Sequence, residues 1–191
     1  MDLALLKIAA FAYLLATGSF IVYLMLLRDF LSRLSPILLL VGFAVHTAAL
    51  GLTFFQAGYP AVTQVQEALS FFSWLIVGVY LLVQLKYRIT VLGSIIAPLA
   101  FLMAFSAFAF GPGSGDLPPE LKTYWLPFHT TFAFLGHAVF ALAFGVSLMY
   151  LIEENQLKNK KKPVLHRRFP SLETLDRLNY MFLVWGFPFM T

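Results

Sequence analysis

Long apolar runs separated by polar segments organise this chain: about 4 to 27, 35 to 56, 68 to 85, 90 to 110 and 128 to 152, with a further run from about 178 to Thr191. A helix needs roughly 20 residues to cross a hydrocarbon core of about 30 Å, so each of the first five is long enough to span. The runs are apolar on all sides, as in a helix surrounded by lipid, not one laid on a soluble core. Strands are disfavoured, because an open sheet edge in lipid leaves backbone groups unpaired. The pattern predicts an all-α, polytopic transmembrane helix bundle, a single domain over 1–191, with five full spans and a sixth. That last run, about 14 residues, is too short to cross a bilayer of ordinary thickness, and a truncated span is expected.

Composition strengthens the membrane reading. Of 191 residues, 60% are hydrophobic and 12% charged, too little charge to cover a water-facing surface. The absence of cysteine excludes disulfides, thiolate metal sites and thiol redox chemistry.

The formal net charge of +4 reads as topology. Arg28 and Arg33 follow the first run, Lys86 and Arg88 the third, and Lys158, Lys160, Lys161, Lys162, Arg167 and Arg168 lie in a basic segment, 153–177, after the fifth. The segment 57–67 has no Lys or Arg, and 111–127 has only Lys122. Positively charged loops stay in the cytoplasm, so the basic segments are expected inside and the N-terminus outside, with Lys7 a mild exception. The first run is too long for a cleavable signal and is expected to remain as an anchor. The lysine cluster lies where anionic headgroups would attract it, and no nucleic acid partner is expected.

Three of the four histidines fall in or beside apolar runs. His46 lies about 11 residues into the second run, roughly 16 Å deep, and His137 about 10 residues into the fifth, roughly 15 Å from the opposite face. Two imidazoles at one level on different helices are able to ligate a haem iron axially; equally, a buried histidine is able to serve only as a hydrogen-bonding group within a bundle. His129 enters the fifth run at the outer interface, where Tyr124, Trp125 and Phe128 offer an apolar surface to a porphyrin. The bland alternative is that Tyr124 and Trp125 form an interfacial aromatic belt. His166 lies among basic residues and reads as solvated. Glu67 suits the first turn of the third helix or a polar contact at the outer face. No phosphate loop, Ser-His-Asp arrangement or metal-spaced cluster is visible.

An ordered series of short motifs resembles the CcsA/ResC family of integral membrane proteins of cytochrome c assembly. It runs through His46-Thr47-Ala48-Ala49-Leu50-Gly51-Leu52, Val65 to Trp74, Leu92-Gly93 to Phe101, Leu117 to Leu121, Tyr124-Trp125-Leu126-Pro127-Phe128-His129, Phe134 to Ala138 and Leu175 to Tyr180. The resemblance implies a protein of the bacterial cytoplasmic membrane, with an outward-facing His129 as axial ligand to a transiently held b-type haem. It further implies presentation of that haem to apocytochrome c, and a CcsB/ResB-type membrane partner with which the family forms a haem-attaching synthase. The family's tryptophan-rich outer segment is not in the chain, whose tryptophans are Trp74, Trp125 and Trp185, and neither is a second outer histidine. A HemX-like regulator of haem synthesis, or a membrane scaffold or transporter without haem, would share the same helix pattern.

Overall fold

In a computed structural model, residues 3–57, 64–110, 125–159 and 169–190 are described. They form six helices and, among the described residues, no strand: α1 (Leu3–Leu26), α2 (Asp29–Ala57), α3 (Val65–Tyr87), α4 (Thr90–Phe110), α5 (Trp125–Lys158) and α6 (Leu172–Met190). The first five are long and apolar enough to cross a membrane, and the chain is a multi-pass membrane protein.

α2, α3, α5 and α6 begin before their apolar stretches or run past them because the flanking residues are polar in a helix-compatible way. Asp29 stands in the first turn of α2, where a carboxylate favours the helix dipole, and Glu67 does the same in α3. Beyond the apolar run, α5 continues to Lys158, whose ammonium pairs with Glu154 at 2.8 Å one turn back. Ser171 caps α6, its hydroxyl accepting from the Thr174 amide at 3.3 Å. The segment 153–177 is therefore helical at both ends, and within it 160–168 lies outside the described residues.

Consecutive helices run up and down. Packing is closest in the α5–α6 and α1–α2 pairs and where α4 meets α1 and α3; α5 reaches the rest chiefly through α3. A stripe of small residues on α4 explains the centre: Gly93, Ala97, Ala100, Ala104 and Ala107 recur at three- and four-residue spacing and are all buried. In lipid no hydrophobic drive joins two helices, so small residues, which let backbones approach, supply the packing contacts. Phe20 of α1 and Tyr80 of α3 meet edge-on over Gly93, with centroids 6.1 Å apart. Ser73 ties α3 to α4 by donating to the Ala100 carbonyl at 2.8 Å. Large apolar side chains such as Met25, Phe55 and Leu85 point outward, as expected where the surroundings are acyl chains. Lys7 lies over the Phe108 ring, 5.5 Å from its centroid, at the end of the bundle away from the arginines.

A Cβ at Gly93 would collide with the Phe20 ring and the Tyr80 hydroxyl, whereas one at Gly18 would meet nothing within 4 Å. Gly93→Ala is expected to destabilise the detergent-purified protein by about 1–3 kcal/mol. Gly18→Ala is expected to be neutral or slightly stabilising. Thermal unfolding of both variants checks this, and equal melting temperatures would refute the packing argument.

Candidate functional site

His46 is fully buried on α2, where the helix faces both α1 and α3. Its Nδ1 lies 3.2 Å from the Tyr13 hydroxyl of α1 and its Nε2 2.9 Å from the Ser70 hydroxyl of α3. Each hydroxyl is able to donate or accept, so either tautomer of the uncharged ring satisfies both nitrogens. The Tyr13 ring leans on the imidazole with centroids 5.7 Å apart. Thr17 donates to the Tyr13 carbonyl at 2.8 Å. The result is a closed polar cluster linking three helices inside an apolar bundle.

Beside it, an aromatic series crosses from α2 to α5. Phe43 stacks on Trp74 at 5.4 Å, Trp74 on Phe71 at 5.8 Å, and Phe71 meets Phe134 edge-on at 6.0 Å. The Trp74 indole N–H donates to Thr47 at 2.8 Å, one residue after His46.

His137 is placed quite differently. It is exposed on α5, and its Nδ1 lies 2.7 Å from the Ala133 carbonyl of its own helix, close enough to donate to it. The helices bearing His46 and His137 share no extended interface, because α3 intervenes. The two imidazoles, expected at one depth as a candidate haem pair, are thus not brought together. One is enclosed with both nitrogens engaged, and the other faces outward.

His129 is exposed in the second turn of α5. Trp125, one turn earlier, is 74% exposed and Phe128 63%. Helical spacing aligns Trp125, His129, Phe132 and Gly136 on one stripe. Lower on that stripe α5 is covered by α6: Phe132 stacks on Phe189 at 6.0 Å, and a Cβ at Gly136 would meet Met190 at 2.8 Å and the Gly186 carbonyl at 3.1 Å. His129 and Trp125 continue that stripe toward the start of α5, and both are exposed. Tyr124, expected beside them, lies outside the described residues, as do Lys122, His166 and Lys160–Lys162 with Arg167 and Arg168. Among the described residues no group of three or more His, Cys, Asp or Glu converges as a metal site.

The partners of His46 were not apparent in the sequence. Tyr13 and Ser70 are two among several hydroxyl side chains within apolar runs, and only the α1–α2–α3 packing shows that they converge. A histidine in one span and hydroxyls in its neighbours are the signal that was available.

The family described as cytochrome C assembly protein matches residues 62–191. Relatives include the cytochrome c biogenesis protein CcsA of Guillardia theta, 26% identical over 164 residues covering 76% of this chain and 54% of the relative. Protein HemX of Brevibacillus brevis is 30% identical over 160 residues, 83% of this chain and 59% of the relative. CcsA of Chlamydomonas reinhardtii is 31% identical over 144 residues, covering 71% and 39%. The chain spans about half the length of these curated relatives.

His46→Ala would strand Tyr13 and Ser70 and leave a void. Hydrogen bonds between membrane helices contribute about 1–2 kcal/mol at most, so a loss of about 2–4 kcal/mol is expected with the void included. His137→Ala, exposed, is expected to change little. Unfolding of the two variants in the same detergent distinguishes them; a His46→Ala protein as stable as the parent would show the cluster to be dispensable.

Proposed function

This chain belongs to the cytochrome c assembly protein family, and on that premise we propose that it is a cytochrome c biogenesis protein which holds haem at the outer face of the bacterial cytoplasmic membrane for attachment to apocytochrome c. The observation carrying this reading is the exposed His129 on a stripe of α5 that Trp125 continues outward. An imidazole there is accessible to an iron ligand site, and the indole and phenyl faces beside it suit a flat apolar ring. In the proposed topology the N-terminus and the start of α5 lie outside, with the arginine-bearing end in the cytoplasm.

The exposed imidazole of His129 and the aromatic side chains beside it fit haem. His137 stands eight residues along the same helix, roughly 12 Å away. His46 would have to release Tyr13 or Ser70 before it could ligate anything. In this proposal His129 would hold the iron, and Trp125 and Phe128, with Tyr124, would flank the ring. Haem, when bound, supplies the vinyl groups that react with cysteine thiols of the apocytochrome; the protein side chains position it and exclude water from one face. A CcsB/ResB-type membrane partner completes the assembly in this proposal.

The second reading, a HemX-like regulator of haem synthesis, is favoured by the Brevibacillus brevis match over 83% of the chain. Cells lacking the protein separate the two: loss of haem-attached cytochromes c with normal haem intermediates supports assembly, and the reverse supports regulation.

Absorption spectra of the detergent-purified protein titrated with haem test the ligand directly. A shifted Soret band is expected for the parent and for His137→Ala, and its loss for His129→Ala. A band that survives His129→Ala but disappears with His46→Ala would move the site into the bundle and sink the outer-face proposal.

A further inference from the structure

At the opposite end of the bundle from His129, a cavity of about 670 Å³ opens between the first turns of α2 and the α3–α4 connection. Arg33, Gln84, Arg88 and Thr90 line it together with Ser32. Its floor is internally satisfied. Pro36 has no N–H for the Ser32 carbonyl, and the Thr90 hydroxyl approaches that carbonyl at 3.5 Å instead. The Gln84 amide donates to Thr90 at 3.2 Å while its carbonyl accepts from Tyr80 at 3.4 Å.

The two guanidiniums are a different matter. Arg33 and Arg88 are exposed, and among the described residues no carboxylate lines the groove and neither arginine is ion-paired. Arg88 also occupies the left-handed region, φ 52°, with its N–H closing α3 onto the Gln84 carbonyl at 3.0 Å. Glycine is the usual residue at such a helix end, yet a long cation stands there. Next to this polar mouth the surface turns apolar: Ile37 and Leu40 of α2 and Leu82 and Leu85 of α3 are all exposed.

We propose that this groove binds a phosphate-type oxyanion between Arg33 and Arg88, and that the anion is the headgroup of an acidic phospholipid whose acyl chains lie along Ile37, Leu40 and Leu82. Planar guanidiniums grip phosphate oxygens in pairs, and their apolar stems are suited to a headgroup depth. Free phosphate shares the headgroup chemistry but has no use for the apolar strip. This site is independent of the haem proposal, since neither His129, His46 nor His137 lines it.

The test uses the full chain purified in detergent. Native mass spectrometry and thermal unfolding are read with phosphatidylglycerol, with phosphatidylcholine and with inorganic phosphate. Arg33→Gln, Arg88→Gln and their double variant are compared with Arg28→Gln, at the same end of the bundle but outside the groove. Phosphatidylglycerol is expected to bind and raise the melting temperature where phosphatidylcholine does not. The double variant is expected to weaken that binding about tenfold, and Arg28→Gln less than about twofold. The single variants preserve the comparison if the double variant fails to fold. Protection by inorganic phosphate alone, with the same arginine dependence, would support the oxyanion site and overturn its lipid source. Equal binding of the two lipids without phosphate protection, or an equal loss in Arg28→Gln, would overturn the proposal.

Discussion

Close approach of helix backbones along α4 is the constraint on which the rest of the bundle depends. Lipid offers an apolar side chain nearly the same surroundings as a neighbouring helix, so association rests on shape. Gly93, Ala97, Ala100, Ala104 and Ala107 make α4 narrow on the side where α1 and α3 close in, and Phe20 and Tyr80 fill the space that Gly93 leaves. With α1 and α3 held against α4, α2 can bring His46 within reach of both Tyr13 and Ser70. The buried imidazole is thus a product of the small-residue seam as much as of its own position in the sequence.

His46 and His129 stand in opposite surroundings that composition alone would have merged. An imidazole with both nitrogens occupied by hydroxyls costs little to keep in an apolar interior and holds three helices in register. The imidazole of His129 stands on an exposed turn, with Trp125 on one side and Phe132, stacked on Phe189, on the other. Burial separates the two where residue type does not.

The fold was largely legible in the sequence because lipid demands long apolar runs, and those runs are conspicuous even without periodicity. Their ends were less so: the polar stretch Glu153 to Lys158 is helical, since an i,i+4 ion pair suits a helix as well as a loop. Of the candidate residues, the sequence placed His129 at the mouth of a span, where its side chain is exposed, but depth along a helix axis says nothing about the direction in which a side chain points. His46 and His137 therefore looked alike until packing turned one inward to Tyr13 and the other toward the surface.

The packing order of the helices bears on how the chain is made. The first four helices share a seam formed entirely from residues before Phe110, while α5 and α6 pack chiefly on each other and meet the remainder through α3. A ribosome releases the N-terminal part first. By the time Trp125 emerges, every residue needed to seat α4 between α1 and α3 is already in the membrane, and the α5–α6 hairpin has a finished wall to dock on. The nascent chain need not wait for α6 to bury α1.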